Sequence, residues 1–180
     1  MTGDSLREGI YALNTRRFGT VAEILINRIA KLEEARNQFH DLFDDIARHR
    51  VEVKFSRALR KSEVRVNEST VLQCIEAAAS TIRWVSWDER ETIPYDCNIQ
   101  QVKRLEFDVL YYGVFFSDRV VIFRIESDEI GPEIYYSDRQ HKGNIGEGQF
   151  HITQDTIGIH TNKYMYRLLT YEQLYATLTD

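Results

Sequence analysis

The sequence predicts an α/β fold, a mixed β-sheet flanked by helices. Three observations carry this expectation. Residues 20–37 repeat apolar positions at helical spacing, with Val21, Ile24, Leu25, Ile29 and Leu32 on one stripe. Residues 50–56 alternate Val51, Val53 and Phe55 against Glu52, Lys54 and Ser56, the period of a strand with one buried face. Residues 107–116 and 119–125 are almost continuously apolar, as expected of central strands covered on both faces.

The elements follow in chain order. Residues 5–13 read as a short helix, and residues 14–18 as a turn containing Arg16 and Arg17. Thr20 is the expected N-cap of the long helix. Residues 39–43 and 50–56 form two strands of a hairpin, with Asp44, Asp45, Arg48 and His49 in the connection. Residues 71–80 fit a helix with Leu72, Ile75, Ala78 and Ala79 on one face. Residues 81–87 alternate and read as a strand, with Trp84 and Trp87 at the core or its rim. Residues 98–105 suit a helix with Val102 and Leu105 inward. Ser117-Asp118 joins the two apolar strands as a tight turn. Residues 143–148 form a glycine-rich loop, continued by Phe150 and Ile152 as a short strand or turn, and Thr170 caps a final helix through Leu174 and Leu178.

With 180 residues, 43% of them apolar, the chain can bury a core of one domain spanning 1–180. Two prolines and nine glycines leave no linker. No apolar run approaches the ~20 residues of a membrane span, and the polar start, residues 1–7, carries no secretory signal. A cytoplasmic protein without a membrane partner is expected. Cys74 and Cys97 lack metal-ligand spacing and are expected as reduced thiols. The net charge of −5 argues mildly against nucleic acid, but residues 48–65 hold seven Lys or Arg against two acids. Such a stretch either contacts phosphates or is a solvated, charged surface.

The feature richest in chemistry lies in the hairpin. If it is centred near Ile46 and Ala47, facing residues have numbers summing to 93. Asp41 then lies opposite Glu52, with Lys54 on the same face as Glu52. Facing Cβ atoms in an antiparallel pair are ~5 Å apart, a spacing that lets two carboxylates share a hard cation such as Mg²⁺, which prefers oxygen ligands and retains waters. Asp44 and Asp45 sit in the turn, where Asp serves the backbone. The bland reading of Glu52-Val53-Lys54 is a solvated strand face.

His40-Asp41 followed by Glu52-Val53-Lys54, behind a helix bearing Glu23, resembles the PD-(D/E)XK nuclease superfamily, and within it the small type II restriction endonucleases. Three later segments add to the likeness: Asn98-Ile99-Gln100-Gln101-Val102-Lys103, Phe107-Asp108-Val109-Leu110-Tyr111-Tyr112, and residues 143–152 with Asn144, Gln149 and His151. The likeness spans roughly residues 15–178. One departure is that His40 stands where a proline often precedes the acid. The resemblance implies a restriction-endonuclease-like sheet, coordination of Mg²⁺ by Asp41 and Glu52, and a Lys54 that orients or deprotonates the attacking water. Glu23 would be an outer acid; its alternative is an exposed first-turn acid favoured by the helix dipole.

DNA contacts are expected from Ser56, Arg57, Arg60 and Lys61, which follow the active strand, and from Asn144, Gln149 and His151 in the glycine-rich region. That region is otherwise a plain surface connection. The glycines do not form a phosphate-cradling loop, because no Gly-Lys-Ser/Thr opens a helix. The expected function is Mg²⁺-dependent, site-specific cleavage of double-stranded DNA by a homodimer. The alternatives are a catalytic small subunit serving a larger recognition subunit, and a non-catalytic DNA-binding or regulatory protein on the same fold.

Overall fold

The computed structural model describes residues 2–35, 39–61, 64–78, 80–139 and 145–179. The chain opens with α1 (Gly3–Ala12), capped by a reciprocal Thr2–Ser5 box. Helix α2 (Thr15–Ala30) starts five residues earlier than expected, because the Asn14 side chain accepts from the Arg17 amide and makes Asn14, not Thr20, the cap. The segment read as a turn is its first turn. The helix stops at Ala30, where Lys31 adopts a left-handed conformation with φ 54°. Its buried stripe is Phe18, Ala22, Leu25 and Ile26, and Ile24 is exposed.

Next come β1 (Glu33–Glu34), β2 (Leu42–Asp44) and β3 (His49–Arg57). The hairpin register is the expected one: Leu42 faces Val51, Phe43 faces Arg50 and Asp44 faces His49. Asp44 Oδ1 accepts from the amides of Ile46 (3.0 Å) and Ala47 (2.9 Å), so this acid builds the turn.

Helix α3 (Val71–Ala77) forms where expected but buries none of its residues, leaving Leu72 72% and Ile75 64% exposed. The segment expected as a strand instead gives α4 (Ser80–Arg83), after which Trp84 makes only an isolated bridge to Leu59. Residues 98–105 correct the expectation more sharply, forming β4 (Cys97–Val102) rather than a helix. Cys97, Ile99 and Val102 are buried while Leu105 is 87% exposed. A β-bulge produces the misleading pattern. Between Ile99 and Val102 the strand advances three residues while its partner advances two, and the three-residue spacing imitates a helix. Gln101 in the bulge is left-handed, φ 56°, at a cost of about 1 kcal/mol for a side chain other than glycine.

Strands β5 (Val109–Phe115) and β6 (Arg119–Glu126) are the expected hairpin, β5 buried along its whole length. β7 (Ser137–Arg139) and β8 (Ile145–Ile152) follow; the glycine-rich stretch is thus strand from Ile145 on, and Gly148 admits the Tyr136 ring, whose hydroxyl would lie 2.0 Å from an added Cβ. The chain closes with α5 (Ile157–Tyr164), β9 (Met165–Thr170) and α6 (Tyr171–Thr179), the last capped by a Thr170–Gln173 exchange.

The six-stranded sheet has the order β1-β2-β3-β5-β6-β9 and is mixed: β3 and β5 are parallel, all other neighbours antiparallel. A second sheet has the order β4-β8-β7. One face of the large sheet packs Val51, Val53, Tyr111 and Ile122 against α1, α2 and α6. The other packs Leu110, Tyr112, Val121 and Phe123 against β4, β8 and α5. The fold is therefore mixed α/β. No helix among the described residues is long and apolar enough to cross a membrane.

His160 lies wholly buried in the second core, sharing a 2.8 Å hydrogen bond with the Tyr112 hydroxyl and flanked by Phe123 and Phe150. Burial pushes its pKa down from 6.5 to about 4. The unfolded chain then binds an extra proton at this residue between these values, so the contribution of His160 to stability is complete above pH 6.5 and falls as pH drops towards 4. The loss is on the order of 3 kcal/mol. Denaturant titrations across this window, on the parent and on His160→Phe, check it: the variant should show a flatter acid limb.

Candidate functional site

Strand β3 turns Val51 and Val53 towards the helices and places Glu52, Lys54 and Ser56 on the opposite face. Asp41 stands just before β2, its amide donating to the Val51 carbonyl (3.1 Å). Its carboxylate is also tied to β3, Oδ2 accepting from the Val53 amide at 2.9 Å. That bond turns Asp41 towards Lys54, whose Nζ is 3.8 Å from Asp41 Oδ2 and bonded directly to Glu52 Oε1. Asp41, Glu52 and Lys54 therefore meet at one point, on the wall of a polar cavity of about 180 Å³.

The far wall comes from residues to which the sequence assigned no site role, although Gln101, Lys103 and Glu147 lie in segments that carried the resemblance. Lys103, just beyond β4, is 3.7 Å from Glu106 and 3.8 Å from Glu147 on β8. Gln101 completes that wall. No local pattern placed them at the acids, since they arrive only through pairing of β4 with β8 and through the short connection from β4 to β5. Four carboxylates against two ammonium groups leave the cavity with a formal excess of two negative charges.

Burial pushes Glu52 up from 4.5 to about 7, with Asp41 and Glu106 adding to the rise and Lys54 opposing it. Burial would lower Lys54, but Glu52, Asp41 and Glu23 together hold it above its ordinary value. Glu23 on α2 is raised by burial and by Asp41; it belongs to the same electrostatic cluster without lining the cavity.

A divalent ion fits this donor set in one particular way. Among the described residues no group of three or more His, Cys, Asp or Glu side chains is arranged to hold a metal, so a closed protein cage is not what the site offers. Asp41 and Glu52 provide two hard oxygen donors within an unbalanced negative cavity. This matches Mg²⁺, which is commonly held by one or two carboxylates and completed by water and substrate phosphate.

A second hollow, about 400 Å³, adjoins the site where Ser56 continues the face of β3 beyond Lys54. Arg57, Lys61, Asn98 and Gln100 also line it. The guanidinium of Arg57 donates to the carbonyls of Ile10 (2.9 Å) and Leu13 (2.8 Å) at the end of α1 and stacks on Phe18, so much of its capacity is committed to the fold. Arg60 lies outside this hollow, paired with Glu89 at 3.0 Å. His151 binds Asp96 at 2.6 Å, Lys61 is 3.8 Å from the same acid, and Gln149 accepts from Asn98 at 3.3 Å. Asn144 lies outside the described residues.

No protein-family model matches the chain, and a search of curated proteins finds no match either.

Proposed function

We propose that this protein is a Mg²⁺-dependent DNA endonuclease, a site-specific phosphodiesterase with a restriction-endonuclease-like sheet that cuts both strands as a homodimer. One observation carries the reading: Asp41, Glu52 and Lys54 converge in a polar, negatively unbalanced cavity beside a hollow lined by Ser56, Arg57 and Lys61. Two half-buried acids around a lysine cost stability unless something at that point uses them. The likeness of Asp41 and Glu52-Val53-Lys54 to the PD-(D/E)XK pattern points the same way.

Asp41 and Glu52 would hold Mg²⁺, which when bound supplies charge neutralisation for the phosphodiester and acidifies water beside it. The Val53 amide fixes the Asp41 carboxylate in its orientation. Lys54 keeps its proton while two carboxylates face it; were those acids to hold a cation, burial would favour its neutral form, and Nζ would take a proton from water or stand against phosphate charge.

The test is incubation of a phage genome with the protein and either Mg²⁺ or EDTA. Discrete fragments with Mg²⁺ alone are expected; intact DNA in both would sink the reading. A second expectation concerns stability. Glu52 binds its proton more tightly folded than unfolded, so the fold loses stability as pH rises from 4.5 to about 7, and the penalty stands in full above that. It amounts to roughly 3 kcal/mol. Mg²⁺ binds the ionised form and offsets it, so the cation should raise the unfolding midpoint more at about pH 8 than at about pH 5.5. An equal shift at both would dissociate the ion from Glu52.

A further inference from the structure

Strand β4 holds two consecutive glutamines, Gln100 and Gln101, neither of which is buried. Regular alternation would turn one of them into the core. The bulge prevents this, because the extra residue between Ile99 and Val102 keeps both amides out while Val102 returns inward, fully buried. The two side chains then part. Gln100 lines the hollow with Ser56 and Lys61, and Gln101 lines the cavity with Asp41, Glu52 and Lys54.

Gln101 achieves this from a left-handed backbone, φ 56°, where glycine or asparagine is more at ease. Its side chain makes no hydrogen bond to any described residue, so the fold gains nothing visible from glutamine there. An unfavourable conformation kept at an exposed residue on the wall of a charged cavity marks a side chain used by something that enters it. The cavity already has more carboxylate than ammonium. An entering phosphate needs donors, and an amide N–H supplies one without adding charge.

We propose that Gln101 is a substrate-contacting residue whose Nε2–H donates to a non-bridging oxygen of the phosphate that is cut, the β-bulge serving to deliver it. This rests on the nuclease reading and adds a contact made by a strand outside the hairpin that carries the acids.

The test compares Gln101→Gly, Gln101→Asn and Gln101→Glu in the full chain, by thermal midpoint and by single-turnover cleavage of DNA with Mg²⁺. Glycine and asparagine both suit the backbone, so their midpoints should equal or exceed the parent's. Cleavage should nevertheless fall about ten- to a hundredfold for glycine, less for asparagine, which keeps the amide on a shorter arm, and furthest for glutamate, which opposes phosphate. Unchanged cleavage in Gln101→Gly overturns the proposal, as does a fall matched by a lowered midpoint, which would mark a structural residue. If the parent neither binds nor cuts DNA, the nuclease reading itself fails and takes this proposal with it.

Discussion

On the proposed nuclease reading, Lys54→Ala is expected to lower Mg²⁺-dependent DNA cleavage about a hundred- to a thousandfold, the loss when one preorganised group is removed from a transition state. Lys54 is the cation that touches both acids of the hairpin, bonded to Glu52 and 3.8 Å from Asp41. Its removal leaves those two carboxylates facing each other without the ammonium between them. Divalent ion should therefore bind the variant at least as well as the parent, because the ion no longer competes with a fixed positive charge. This separates a catalytic lysine from one that merely neutralises the site. If the residue only balanced charge, Mg²⁺ would replace it and cleavage would persist. Single-turnover cleavage and the Mg²⁺-induced shift of the unfolding midpoint, measured on one preparation, check both halves. Cleavage at the parent's rate would remove Lys54 from the chemistry. Lys103→Ala is the internal comparison: that lysine serves Glu106 and Glu147 on the opposite wall, and its loss should cost much less.

Gly113→Ala should destabilise the fold by about 3 kcal/mol, at the upper end for added volume in a packed core. Gly113 lies in the middle of β5, paired with Phe55 on β3 and with Ile122 on β6. An added Cβ would stand 2.3 Å from the Phe55 ring and 2.5 Å from the Val121 carbonyl oxygen. The ring can rotate away, but the carbonyl is backbone in the centre of the sheet and cannot. Phe55→Ala in the Gly113→Ala background should therefore recover little, and a double-mutant cycle by urea denaturation measures it. Full recovery would place the conflict in the Phe55 ring alone. Because β3 carries Glu52 and Lys54, any residual displacement of β3 from β5 should also appear as lost cleavage.

What could be read from the sequence was local. The closeness of Asp41 to Glu52 and Lys54 was legible from strand alternation and a turn built by Asp44, all within about fifteen residues; the predicted register is observed from Leu42–Val51 to Asp44–His49, while Asp41 itself stands just before the strand and is held by the Val53 amide. The continuous apolar strands β5 and β6 announced themselves because burial on both faces removes polar alternation. The final helix was marked by Thr170, whose cap bonds are made within three residues. Where the local signal was double-valued, it misled. Asn14 and Thr20 are both cap residues, and the earlier start, with its Asn14–Arg17 cap bond, is the one that also packs Phe18 against Phe115. Val102 and Leu105 have helical spacing, yet Val102 is turned inward by a bulge in a strand and Leu105 lies exposed beyond its end.

By itself, then, the sequence determined the mixed α/β class, the hairpin register and the presence of two acids and a lysine on one hairpin. These depend on side-chain periods and turns, which act over a few residues. Tertiary structure alone decided that Lys103, Glu106, Glu147 and Gln101 close the cavity from the other side, because β4 meets β8 across about fifty residues of chain. It also decided that α3 presents its apolar face outward and that Arg57 is spent on the end of α1. Such pairings are chosen by which surfaces exclude water together, and no short window of sequence records that choice.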